Sequence, residues 1–238
     1  MIATEEYRIV DIVEEVKNVR TYRVAPILEK PVKFIPGQFV MLHLLKEDGK
    51  TFGDARAYSI SSSPIRDSSI DLTIKVYGNF TQKLWKVGRE SPVGVRGPYG
   101  KFCFIDSEVK EAVFIAGGVG IAPIMGMIQY CFDKKLDVNM ILLYSNKKAD
   151  EIIFYDRLNK LAEQNGKFKV HYTVTQPDEN IRWDGDSGRF DEQKISRYVG
   201  DVKEKSFFIC GSPEMTQDIV SILQKLGADP GKIKREQW

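Results

Sequence analysis

The alternation of apolar and polar positions changes character once along the chain. Up to about residue 105, apolar positions fall in short runs rich in β-branched and aromatic residues with partial alternation: Tyr7–Val16, Thr21–Ala25, Phe39–Leu45, Ala57–Ser61, Ile70–Val76 and Pro92–Arg96. Turn formers separate them: Pro36-Gly37, Asp48-Gly49, the Ser/Pro/Asp-rich stretch Ser61–Ser69 and Gly97-Pro98-Tyr99-Gly100. Short strands at such spacing predict a small antiparallel barrel. One helix interrupts it, with Asn79 or Thr81 as its cap and Leu84, Trp85 and Val87 on its apolar side. Beyond Ile105 the pattern changes to short apolar runs: Ala112–Ala116, Val138–Tyr144, Lys169–Thr175 and Ser206–Cys210. Helical patterns lie between and after them, at Ile121–Phe132, Asp150–Gln164, Asp191–Tyr198 and Pro213–Leu226. That strand–helix alternation predicts a parallel sheet with helices on both faces. The fold expected is therefore two domains: an antiparallel β-barrel over residues 1–106 and an α/β parallel-sheet domain over 107–238, with the boundary near Asp106–Glu111.

Composition narrows the function classes. The 238 residues suit two domains, and 42% hydrophobic with 29% charged residues is an ordinary globular balance. With 35 basic against 33 acidic residues, the concentrated basic excess of a nucleic-acid protein is missing. The start, Met1 to Arg8, lacks the basic and apolar segments of a secretion signal, and no apolar run reaches membrane-span length. A cytoplasmic protein with no membrane partner is expected. Three widely spaced cysteines, Cys103, Cys131 and Cys210, argue against a disulfide framework and cannot supply the four thiolates of an ordinary iron–sulfur cluster. No metal site is expected.

Two motifs carry the chemistry. Gly117-Gly118-Val119-Gly120-Ile121-Ala122-Pro123 follows the first strand of the α/β half and opens its first helix. Glycines let backbone approach a ligand closely, and a helix N-terminus offers free N–H groups and a positive dipole end to a pyrophosphate. Taken alone, such a turn is also how tight packing is made. Arg56-Ala57-Tyr58-Ser59 combines a guanidinium suited to phosphate, an aromatic that can stack on a flat ring and a hydroxyl for the ring's edge. Alternation puts Arg56 and Tyr58 on one strand face and Ser59 on the other. On its own, the string also suits an edge strand. Gly78-Asn79-Phe80-Thr81 begins a helix just downstream, which makes it a second phosphate site or simply a cap. Cys210-Gly211-Ser212-Pro213 ends another parallel strand, where open α/β sheets bind ligands; a buried packing thiol is the plainer account of Cys210. The chain ends on Glu236-Gln237-Trp238, a tail able to anchor in a groove or to cover a flat cofactor.

Together these strings resemble the ferredoxin–NADP reductase superfamily over nearly the whole chain. Its R-x-Y-S flavin motif matches Arg56, Tyr58 and Ser59. Its G-G-x-G-x-x-P motif matches Gly117, Gly118, Gly120 and Pro123. Its C-G-x-P segment matches Cys210, Gly211 and Pro213, and its G-P-x-G turn matches Gly97, Pro98 and Gly100. The resemblance implies a flavin-binding barrel joined to an NAD(P)-binding domain, with flavin where the two meet. It places Tyr58 on the isoalloxazine, Ser59 near flavin N5, Arg56 and Thr81 on the phosphates, and Ile74-Lys75-Val76 alongside the cofactor through backbone contacts. Gly78 to Thr81 favours FAD over FMN. Trp238 would shield the other flavin face, and Ser59, Cys210 and Glu236 would tune the reacting ring.

The resemblance further implies a flavoenzyme that passes electrons between NAD(P)H and ferredoxin or flavodoxin by hydride transfer at flavin N5. Lys147 and Lys148 after the second parallel strand, with Arg182 and Arg189, favour NADPH over NADH. Lys232, Lys234 and Arg235 are basic residues that suit an acidic carrier, or simply a solvated end. Two other readings stay open: the reductase component of an oxygenase or hydrogenase complex, and a non-catalytic flavin- or nucleotide-binding module. Monomer and dimer are both compatible with the sequence.

Overall fold

The computed structural model describes residues 3–28, 30–46 and 48–237, and the chain divides into two compact units. The first comprises Met1–Phe104 with Met125–Lys134; the second comprises Ile105–Ile124 with Lys135–Trp238.

The first unit is a six-stranded antiparallel sheet of β1 (Glu5–Val16), β2 (Val19–Pro26), β3 (Phe39–Leu45), β4 (Phe52–Ser59), β5 (Ile70–Lys75) and β6 (Pro92–Tyr99), in the order β4-β3-β6-β1-β2-β5. A single bridge, Ile60 to Leu72, ties the two ends of that order and curls the sheet into a barrel. The core comes from alternate positions: Val40, Leu42 and Leu44 of β3, Ile70, Leu72 and Ile74 of β5, and Val93 and Val95 of β6 are all buried. Helix α1 (Gly78–Trp85) adds Phe80 and Leu84 to the same cluster. Arg20 holds the end of α1: its guanidinium lies 3.5 Å from the Trp85 ring centroid and donates to the Trp85 carbonyl at 3.0 Å.

Three expectations need correction here. β4 spans Phe52–Ser59 rather than Ala57–Ser61, because Phe52, Ala55, Arg56 and Ala57 pair with β3 although they show no apolar alternation. β6 continues through Pro98 to Tyr99, so the chain turns only at Gly100, whose φ is +103°. The cap of α1 is Tyr77, not Asn79 or Thr81; Thr81 Oγ1 instead reaches back to accept from the Tyr77 N–H at 2.6 Å.

The second unit is a six-stranded parallel sheet in the order β10-β9-β8-β7-β11-β12. Its strands are β7 (Glu111–Gly117), β8 (Asn139–Asn146), β9 (Phe168–Val174), β10 (Asp186–Ser187), β11 (Ser206–Gly211) and β12 (Ile233–Gln237). The helices are α2 (Ile121–Asp133), which belongs to the first unit from Met125 onward, α3 (Tyr155–Gln164), α4 (Glu192–Val199) and α5 (Pro213–Lys225). Strand order reverses at β7, which has β8 on one side and β11 on the other. The carboxyl ends of β7 and β11 therefore form the switch point at which open parallel sheets bind ligands. Two further differences from the sequence reading appear: α3 begins at Tyr155, since residues 149–151 form a separate 3-10 turn, and β10 and β12 had no expected counterpart. Cys103, Cys131 and Cys210 are buried and form no disulfide. Among the described residues, no helix is long and apolar enough to cross a membrane, and no His/Cys/Asp/Glu group is arranged to hold a metal ion.

Candidate functional site

In the barrel, the seam between β4 and β5 is the distinctive place. The strands meet at Ile60–Leu72 and then part, so Tyr58 and Arg56 on one lip and Ile74 to Val76 on the other are not joined by strand pairing. Tyr58 lies opposite Val40 and packs on the barrel core, with its ring centroid 6.1 Å from that of Phe80. Burial raises its phenol pKa to about 12, so the ring presents a neutral hydroxyl at physiological pH. Arg56, two residues earlier on the same face, is exposed and sits 5.7 Å from the Phe80 ring. Its guanidinium donates to the Ala55 carbonyl at 2.7 Å and makes no ion pair among the described residues, which suits a phosphate. Ser59 is 2% exposed on the opposite strand face, beside Phe39.

On the far lip, Ile74 is buried, Lys75 is exposed, and the Val76 N–H donates to the Asn18 carbonyl at 2.9 Å. Gly78, at φ +77°, turns the chain into α1. Thr81 spends its hydroxyl hydrogen on the Gly78 carbonyl at 3.0 Å while accepting from Tyr77. A phosphate here would therefore meet the backbone N–H groups of Gly78, Asn79 and Phe80, with Thr81 positioning the turn. Beyond Phe80, a groove of about 630 Å³ continues past Leu44, Lys46, Asp54, Lys83 and Lys86. Phe80, which sequence reading left without a role, is the shared wall of seam and groove.

In the second unit, close approach dominates. A Cβ on Gly120 would lie 2.3 Å from the Cys210 carbonyl oxygen, so only glycine lets the turn after β7 nestle against the end of β11. Gly117 and Gly211 are similarly pressed by Met215 of α5, with Sδ at 2.5 and 2.9 Å from the corresponding added Cβ positions. Gly118 adopts φ +52°, and its carbonyl accepts from the Tyr144 hydroxyl at 2.9 Å. Burial pushes the Tyr144 phenol pKa upward. Pro123 lies in the first turn of α2. Parallel pairing sets Glu236 beside Cys210, and Gln237 donates to Thr216 Oγ1 at 2.8 Å, so the tail runs as the sheet's edge strand. The structure thus brings Gly118, Gly120, Cys210 and Glu236 to one end of one sheet. Trp238 lies outside the described residues.

The cationic candidates are dispersed. Lys147 is exposed. Arg189 is engaged with Glu214 at 2.8 Å and Asp218 at 3.4 Å. Sequence reading also missed Asn146, the last residue of β8: it is 5% exposed, and its Nδ2 has no hydrogen-bond partner among the described residues. A buried orphan donor at the carboxyl end of a parallel sheet is what a bound nucleotide would satisfy.

A phosphate-ready seam in one unit and a glycine turn at a sheet's switch point in the other are the equipment of a flavin- and pyridine-nucleotide-dependent oxidoreductase. Family models agree. Residues 6–104 match the oxidoreductase FAD-binding domain, and residues 114–221 match the oxidoreductase NAD-binding domain. The chain thus joins an oxidoreductase FAD-binding domain to an oxidoreductase NAD-binding domain, in the fold of the ferredoxin–NADP reductases. Among curated relatives, the glycine betaine monooxygenase reductase subunit of Pseudomonas aeruginosa is 31% identical over 97% of this chain, which spans 63% of that relative's length. Among solved structures, the flavohem-like FAD/NAD-binding domain of Vibrio cholerae nitric oxide dioxygenase superposes with a TM-score of 0.87 at 18% identity, covering 98% of each chain. A Neisseria gonorrhoeae ferredoxin NADP+ reductase with bound FAD and NADP does so at 0.81 with 21% identity, again covering 98% of each chain.

Proposed function

We propose that the protein carries electrons from a reduced pyridine nucleotide through FAD to a one-electron protein acceptor. When bound, FAD would take a hydride at N5 and release its electrons onward one at a time. The chain's own residues supply binding and orientation. Tyr58 offers a neutral ring face, Arg56 a cation without an ion pair among the described residues, Gly78 to Phe80 backbone donors, and Ile74 to Val76 an edge that no strand pairs on the β4 side among the described residues. Ser59 in the first unit is proposed to serve the flavin, and Cys210 and Glu236 in the second the nicotinamide. FAD is preferred to FMN because the lysine-lined groove beyond Phe80 has room and charge for an adenylate half. The observation that carries the reading is the parting of β4 from β5 with Arg56 and Tyr58 on its lip.

For the acceptor, ferredoxin or flavodoxin is proposed, and a reductase component of an oxygenase system is the second reading. It is favoured by the relative named above, which is the reductase subunit of a monooxygenase. The test is flavin retention followed by reduction. Wild-type protein should purify yellow and bleach anaerobically with NADH or NADPH. Arg56→Ala should weaken flavin binding by about 1.5–3 kcal/mol, the worth of a hydrogen bond to a charged group. Full flavin occupancy after dialysis of that variant overturns the phosphate assignment.

A further inference from the structure

The four cations that favour a 2′-phosphate on sequence grounds prove mostly spoken for. Lys148 Nζ lies 3.0 Å from Asp178, Arg182 lies 3.1 Å from Asp184, and Arg189 meets Glu214 and Asp218. Lys147 alone is exposed without an ion pair among the described residues. The Lys148–Asp178 pair is built into the backbone. The chain leaving β9 runs beside the chain leaving β8: the Thr175 N–H donates to the Asn146 carbonyl at 2.9 Å, and the Gln176 N–H to the Lys147 carbonyl at 2.8 Å. Two residues later, Asp178 arrives at Lys148, where the Asn180 N–H and Nδ2 also donate to its Oδ1 at 3.1 and 3.2 Å. Asp150 and Glu151 lie close enough to add their negative charge around Lys148. At this corner two lysines face three carboxylates, beside the orphan amide of Asn146.

Resting on the pyridine-nucleotide reading above, we propose that Asp178, fixed by Lys148, makes this corner select NADH over NADPH. A carboxylate accepts from a ribose 2′-hydroxyl, whereas a 2′-phosphate would bring its own negative charge against Asp178. To bind that phosphate, Lys148 would have to leave Asp178 and expose an uncompensated anion. Asp178 is a specificity-determining residue in this scheme, and Lys148 is its positioning partner.

Calorimetric titration of the protein with ADP-ribose and with 2′-phospho-ADP-ribose tests this without turnover. Wild type should bind ADP-ribose about tenfold or more tightly than its 2′-phospho analogue, a gap of roughly 1.4 kcal/mol. Asp178→Asn should narrow the ratio and Lys148→Ala should widen it; both side chains are partly exposed, so folding is undisturbed. A wild-type preference for the 2′-phospho ligand overturns the proposal, as does a ratio unchanged in Asp178→Asn. Failure of both ligands to bind a flavin-loaded protein overturns the pyridine-nucleotide reading itself, and this proposal with it.

Discussion

Replacing Gly120 with alanine probes the tightest joint in the nucleotide unit. The new Cβ would stand 2.3 Å from the Cys210 carbonyl oxygen, 2.7 Å from its carbon and 3.0 Å from the Gly211 nitrogen. These neighbours are backbone atoms, so no side chain can swing aside. To reach even the 3.0 Å floor of real Cβ contacts, the oxygen must retreat by about 0.7 Å, from 2.3 Å. Overpacking of this kind costs about 1–3 kcal/mol. For a chain of this size, each kcal/mol shifts Tm by roughly 2–4 °C, so a fall of about 2–12 °C is expected. Gly166→Ala is the control, because nothing lies within 4 Å of its added Cβ; its cost should stay within about 0.5 kcal/mol. Displacement at Cys210 and Gly211 should also weaken ADP-ribose binding about tenfold or more, since misplacements near 1 Å are costly at binding sites. Differential scanning fluorimetry and calorimetry read the two effects. A Gly120→Ala protein with wild-type Tm and wild-type affinity would refute the close-approach argument.

Two further predictions follow from the same geometry. Tyr58 has a phenol pKa raised from 10.0 to about 12 by burial, so the unfolded chain loses that proton first. Its contribution to stability is complete below pH 10 and lost as pH rises through 12. Tyr58→Phe should therefore lose less stability than wild type across this window in denaturant titrations, and parallel pH profiles would contradict the burial argument. Gln237→Ala removes the Nε2 bond to Thr216 at 2.8 Å, worth up to about 1 kcal/mol at this exposed position. Amide exchange should accelerate in Ile233–Gln237 and spare β11; unchanged exchange would show that the tail is held by strand pairing alone.

How legible the molecule was in its sequence depended on what each segment buries. β7 and β11 are buried along nearly their whole length, and their apolar runs announce them. β12 is an edge strand whose Ile233-Lys234-Arg235-Glu236-Gln237 has a single apolar residue; only its pairing with β11 defines it. That pairing puts Glu236 next to Cys210, a relation invisible at the separation of the two in sequence. The first half of β4 escaped notice for a similar reason: Gly53, Asp54 and Ala55 are small or polar. Motifs such as Arg56-Tyr58-Ser59 and Gly117 to Pro123 were readable because they require special side chains or the absence of them. The pairing of Lys148 with Asp178 was not, because charge in a sequence carries no record of its partner.

The early parting of β4 from β5 has a consequence for handling the protein as well as for binding. Past Ile60 and Leu72, each strand shows the outside a ladder of amide and carbonyl groups that no strand takes up among the described residues. Bare ladders recruit one another between molecules, and a barrel with an unfinished closure invites clumping. Anything lodged lengthwise in that gap would act as a clasp, stabilising the folded chain by mass action and hiding its stickiest rim. Solubility and thermal tolerance should then rise and fall with cofactor supply during expression.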